Sequence, residues 1–127
     1  MLPNQQPVLC AADLRQCETL LTFDVDAITA VFAAALKGAG ATIVQSVSHA
    51  YPGAGLTCVL VLRESHAVLH TWPETGTVNV AIFSCSTRLK SLGAIEELGR
   101  LLGARKVSVQ EIPRADGHSR VPAPAGV

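Results

Sequence analysis

Between residues 42 and 84 the chain passes through four short apolar runs separated only by turn-forming residues. Residues 42–50 and 56–63 are rich in Val, Leu and Thr, with Tyr51-Pro52-Gly53-Ala54-Gly55 between them. Residues 66–72 and 77–84 make a second pair around Pro73-Glu74-Thr75-Gly76. β-Rich runs of this length bounded by Pro and Gly read as strands, and short connections of this kind join antiparallel neighbours. Four strands in succession demand a sheet, and a sheet needs a layer packed on it.

Helical periodicity supplies that layer. Over residues 25–37 the apolar positions Val25, Ile28, Val31, Phe32, Ala35 and Leu36 fall at helical spacing, with Asp24 as N-cap and Gly38 and Gly40 at the end. A second helix is expected over 91–102, with Leu92, Ile95, Leu98, Leu101 and Leu102 on one side and Gly103 as its stop. A strand over 8–14 and an alternating strand over 106–112 complete the order β-α-β-β-β-β-α-β. The expectation is an α+β two-layer sandwich: a mostly antiparallel sheet with two helices on one face, in a single domain over residues 1–112. Residues 113–127 carry too little apolar content to pack and are expected to form a disordered tail.

The composition leaves one sheet face to be accounted for. Apolar residues make up 49% of the 127 and charged ones only 16%, more apolar surface than a domain of this size ordinarily hides by itself. A homodimer packed through the open face is the simplest way to cover it. Ten basic residues balance ten acidic ones, so no basic surface points to a nucleic-acid partner. No apolar run reaches the length of about 18 residues that suggests a membrane span, and Met1-Leu2-Pro3-Asn4-Gln5-Gln6-Pro7 has no signal-like pattern. Cys10, Cys17, Cys58 and Cys85 form no CxxC pair, as expected of free thiols in a reducing cytoplasm. His66, His70, Cys58 and Cys85 lack the close paired spacing of zinc sites, so no metal is expected.

The residues able to do chemistry gather at Glu64-Ser65-His66 and the strand that follows, through His70 to Thr71-Trp72-Pro73-Glu74. A serine held against the carbonyl of the preceding residue can attack its own backbone, and histidines can move the protons this requires. The segment is therefore a candidate self-cleavage site. Cys85 stands twenty residues beyond Ser65, where a thiol on a neighbouring strand can return to the same point. Taken singly, a serine beside a histidine is common in strands and a lone cysteine fills a core. No G-x-S-x-G elbow surrounds Ser65, which argues against a serine hydrolase.

Together, the run Glu64-Ser65-His66-Ala67-Val68-Leu69-His70-Thr71-Trp72-Pro73-Glu74, the later Phe83-Ser84-Cys85 and the upstream Gly40-Ala41-Thr42 resemble the small prokaryotic S-adenosylmethionine decarboxylases, over roughly residues 20–112. The resemblance implies a proenzyme cut between Glu64 and Ser65. On that pattern the Ser65 hydroxyl attacks the Glu64 carbonyl, the amide becomes an ester, and loss of the Ser65 α-proton expels the new carboxylate. Hydrolysis of the resulting dehydroalanine leaves a pyruvoyl group, the cofactor, at the head of the C-terminal fragment. Its ketone condenses with a substrate amine and accepts the electrons released as CO2 departs.

The same pattern implies individual roles. His70 matches a histidine used in processing, and Thr57 stands where the family usually has a serine that assists it. Cys85 matches the cysteine that reprotonates the substrate carbon. Glu74 matches a ligand-binding glutamate, and Tyr51 an aromatic ring that stacks on adenine. The implied reaction converts S-adenosylmethionine to its decarboxylated form for spermidine synthesis, in a dimer of processed protomers. Departures bear on the substrate: Thr75-Gly76-Thr77 replaces Tyr-Gly-Tyr, Ala81 stands in place of an aspartate, and Leu9-Cys10-Ala11-Ala12-Asp13 lacks the usual aromatic character. A homologue acting on ornithine, arginine or another amino acid, or a non-catalytic partner subunit, are the alternatives. Retention of Ser65, His70 and Cys85 together favours an enzyme.

Overall fold

A computed structural model describes residues 6–85 and 89–115. The chain runs through β1 (Val8–Arg15), α1 (Val25–Gly38), β2 (Ile43–Ala50), β3 (Leu56–Leu62), β4 (Ser65–Trp72), β5 (Thr77–Ser84), α2 (Ser91–Leu101) and β6 (Lys106–Pro113). The six strands form one sheet in the order β2-β3-β4-β5-β1-β6, every neighbouring pair antiparallel. This is the expected sandwich with the expected element order. Two short 3-10 turns, Leu20–Thr22 and Pro73–Thr75, are added to it. Pro73 opens the second turn, where its missing N–H costs nothing, and Gly76 closes it at φ 64°, a conformation that favours glycine.

Local signals explain the boundaries. Asp24 caps α1, its Oδ1 accepting from the Ala27 amide at 2.7 Å, a contact worth about 1 kcal/mol in helices generally. Both helices pack on the same sheet face. Ile28, Phe32 and Leu36 of α1 and Ile95 and Leu98 of α2 are buried there with Leu14, Leu60, Leu69, Val78 and Ile82 of the strands. Cys10, Cys17 and Cys58 fill the same core as free thiols. Leu92, expected on the apolar side of α2, instead lies exposed in the helix's first turn. β6 continues through Pro113, and the Arg114 amide donates to the Pro7 carbonyl at 2.8 Å, so strand pairing runs past residue 112. Residues 116–127 of the expected tail lie outside the described residues.

The face away from the helices is organised in rows set by the register. His49, Thr57, His70, Asn79, Asp13 and Ser108 are successive cross-strand partners, a polar row spanning all six strands. Beside it Val47, Val59, Val68, Ala81 and Ala11 form an apolar row ending at Gln110. Val47 and Val61 on this face are 54% and 40% exposed, so the apolar surface expected from composition is indeed uncovered in a single chain.

Candidate active site

The hairpin joining β3 to β4 has only Arg63 and Glu64 between the paired residues Leu62 and Ser65. Turning the chain in so little space puts Glu64 in the left-handed region at φ 59°, which costs a residue with a Cβ about 1–2 kcal/mol. The strained residue is the one whose carbonyl the sequence pattern marks for attack. Next to it the Ser65 Oγ is buried and has no hydrogen-bond partner among the described residues. A hydroxyl in that condition forgoes about 1–3 kcal/mol. Its lone pairs are correspondingly unencumbered.

Cys85, the residue after β5, completes this cluster. Its Sγ donates to the Glu64 carbonyl oxygen at 2.7 Å. A donor on that oxygen draws electron density from the carbonyl carbon and stabilises negative charge as it develops there. The sequence placed Cys85 near Ser65; the structure puts the thiol on the very bond between Glu64 and Ser65.

A second cluster lies at the far end of β4. The β3–β4 register sets Thr57 directly opposite His70, and Thr57 Oγ1 is 2.6 Å from His70 Nδ1 and 3.0 Å from the Tyr51 hydroxyl. When Nδ1 carries the proton it donates to Thr57, Thr57 donates to Tyr51, and Nε2 presents a free lone pair as a base. The opposite tautomer reverses the chain and makes Nε2 a donor. The His70 ring lies 5.6 Å from that of Tyr51 and 4.6 Å from that of Trp72. Tyr51, Gly55, His70, Trp72 and Glu74 line a cavity of 270 Å³.

The two clusters do not meet within one chain. Five residues of strand separate Ser65 from His70, a rise of roughly 16 Å. Strand alternation also places their side chains on opposite faces: Ser65 with the helix-covered set and His70 on the open face. His66, adjacent to Ser65 in sequence, likewise points to the open face, where it stacks on Phe83 at 5.3 Å. Glu64, Ser65 and Cys85 are thus brought together, as are Tyr51, Thr57, His70 and Glu74. Three residues not singled out from the sequence join the second group: Trp72, Asn79 and Asp13, linked by hydrogen bonds along the polar row. Among the described residues no group of three or more His, Cys, Asp or Glu side chains is arranged to hold a metal ion, and no helix is long and apolar enough to cross a membrane.

A sequence profile of S-adenosylmethionine decarboxylases fits residues 8–115. The chain belongs to that family. The S-adenosylmethionine decarboxylase proenzyme of Methanococcus maripaludis is 34% identical over 102 residues, 80% of this chain and 84% of the relative. That of Acidithiobacillus ferrooxidans is 33% identical over 103 residues, 81% of this chain and 77% of the relative. The crystal structure of the adenosylmethionine decarboxylase from Aquifex aeolicus has the same fold, with a TM-score of 0.75 at 24% identity over 92% of this chain and 98% of that one. The S-adenosylmethionine decarboxylase relatives are named as proenzymes, precursors that require processing.

Proposed function

We propose that this chain cleaves itself between Glu64 and Ser65 and, as a homodimer of processed protomers, decarboxylates S-adenosylmethionine. The observation that carries the reading is the Glu64–Ser65 turn: a buried hydroxyl without a partner among the described residues, a strained scissile residue, and a thiol on the scissile carbonyl. Each favours attack by Ser65 Oγ on the Glu64 carbonyl carbon. The resulting ester places Cys85 where it stabilises the oxygen that gathers charge, and cleavage relieves the φ constraint on Glu64. Loss of the Ser65 α-proton then expels the Glu64 carboxylate, and water converts the dehydroalanine to a pyruvoyl group with release of ammonia.

That α-proton needs a base within about 2.6–3.2 Å, directly or through one water. His70 of the same chain is far out of range, so the base comes from a second copy. Packing two open faces together covers the apolar row and brings the Tyr51–Thr57–His70 chain of one protomer against the open face of the other, from which the Ser65 Cα–H, directed away from its helix-facing side chain, can be reached. The cavity at Tyr51, Trp72 and Glu74 then adjoins the partner's pyruvoyl end: the aromatic rings offer stacking surface to adenine and Glu74 offers acceptors to ribose hydroxyls. When formed, the pyruvoyl group supplies the ketone that engages the substrate amine and the electron sink for loss of CO2. Cys85, already beside that end of the fragment, is positioned to return a proton to the substrate carbon. The four free cysteines suit a reducing cytoplasm.

Intact mass and CO2 release test the reading together. Purified protein should appear as fragments 1–64 and 65–127, the second blocked at its head by the ketone, and should release CO2 from S-adenosylmethionine in preference to ornithine or arginine. A folded wild-type chain that stays whole would overturn self-processing. A processed chain that decarboxylates only ornithine or arginine would overturn the substrate.

A further inference from the structure

The polar row does not end at His70. Asn79 lies directly opposite His70, and Asp13 directly opposite Asn79. The Trp72 Nε1–H donates to Asn79 Oδ1 at 2.6 Å, and Asn79 Nδ2 donates to Asp13 Oδ1 at 2.7 Å. An indole N–H can only donate and an ionised carboxylate can only accept. The carboxamide between them carries an acceptor and a donor on separate atoms, so its neighbours fix its orientation from both ends. Trp72 needs such a hold, because within a single chain it is 45% exposed at the end of β4 and no layer of its own protomer confines its rotamer.

We propose that Asp13 and Asn79 form a brace that holds the Trp72 indole as a fixed wall of the 270 Å³ cavity, which makes Asn79 a positioning residue for the ligand taken there. The inference rests on reading that cavity as the substrate's. Asn79 does not line the cavity itself and reaches it through its hydrogen bond to Trp72. Its contribution is therefore to the shape of the binding surface and not to proton transfer. A wall that is the same before and during reaction contributes uniform binding, so its loss raises KM and leaves kcat nearly unchanged.

The chain contains one tryptophan, so fluorescence excited selectively in tryptophan reports on Trp72 alone. Two variants and their combination make the test. Asn79→Asp keeps the size of the side chain and the acceptor for Trp72, but sets two carboxylates face to face and breaks the brace. The double variant Asp13→Asn/Asn79→Asp restores it in reverse: the amide at position 13 donates to the carboxylate at position 79, which still accepts from the indole. Fluorescence anisotropy and acrylamide quenching are read on uncleaved protein carrying Ser65→Ala, which needs neither cofactor nor substrate. KM and kcat for S-adenosylmethionine are read on processed protein.

The single variant should lower Trp72 anisotropy, increase its quenching and raise KM by about threefold to tenfold, the worth of one hydrogen bond. The double variant should return all three toward wild type. Unchanged anisotropy and quenching in Asn79→Asp, or a double variant no better than the single, would overturn the brace. Absence of decarboxylation with the expected fluorescence pattern would leave the brace standing and strike only at the substrate reading.

Discussion

A test by mixed dimers follows from the distance between Ser65 and His70. His70→Ala alone should slow self-cleavage by about 10²–10⁴-fold, the usual worth of a positioned general base. Ser65→Ala alone should not cleave at all. Because the two residues lie roughly 16 Å apart on opposite faces of one strand, no rotamer of His70 reaches its own Ser65. A dimer made of one chain of each kind contains one intact site, with Ser65 from the His70→Ala chain and His70 from the Ser65→Ala chain, and one site lacking both. Random association of the two chains in equal amounts makes about half of the dimers mixed, so about half of the His70→Ala chains should be cut. Different tags on the two chains let denaturing electrophoresis and intact mass assign the cut. Cleavage should appear only in the His70→Ala chain and rise to completeness when mixed dimers are isolated by tandem affinity. Isolated mixed dimers in which that chain cleaves no faster than in its own homodimer would refute action between copies, and wild-type cleavage of His70→Ala alone would remove His70 from processing.

Cys85→Ala should slow cleavage by on the order of 10²-fold through loss of the donor on the Glu64 carbonyl, while Cys85→Ser retains it. In whatever pool of Cys85→Ala matures, CO2 release should also fall, and full turnover there would cancel its role as a proton donor. Thr57→Val should slow cleavage by about tenfold, because it strands His70 Nδ1 and the Tyr51 hydroxyl, and Thr57→Ser should restore it, as time courses of fragment appearance will show. Burial pushes the Cys10 and Cys17 thiols up, with the nearby Glu111 carboxylate adding to the effect at Cys10. Below the ordinary thiol range the folded and unfolded chains both keep these protons. Above it the unfolded chain loses them first, so urea midpoints of the Ser65→Ala chain should fall as pH rises past that range, and flat midpoints would contradict the shift.

Much of the fold was legible because its signals are local. Asp24 capping α1, Gly76 closing the turn before β5 and strict alternation along β3 and β5 each depend on residues a few positions apart. The 3-10 turn at Leu20–Thr22 has no periodicity to mark it in the sequence. The site was legible only in part, for a related reason. Thr57, His70 and Tyr51 lie around one hairpin, so their association follows from a short register. Asp13 and Asn79 stand 66 residues apart and meet only because β1 inserts beside β5, a non-local pairing with no trace in either segment. The separation of Ser65 from His70 follows from strand alternation, which sets residues an odd number of positions apart on opposite faces.

If the chain is cut between Glu64 and Ser65 as proposed, the sheet order bears on the life of the molecule afterwards. The segment ahead of the break supplies β1, β2 and β3, and the segment behind it β4, β5 and β6, so the order β2-β3-β4-β5-β1-β6 weaves the two pieces through each other. Three of the five strand junctions, β3 with β4, β5 with β1 and β1 with β6, join one piece to the other. Severing a hairpin at its tip therefore loosens nothing, and neither piece can leave without dismantling the core. The same weave makes maturation a one-way passage: the uncut chain finds its fold by a first-order search within a single molecule. Once cut and unfolded, the halves must first find each other in solution, so recovery from denaturation becomes a second-order process that fails on dilution.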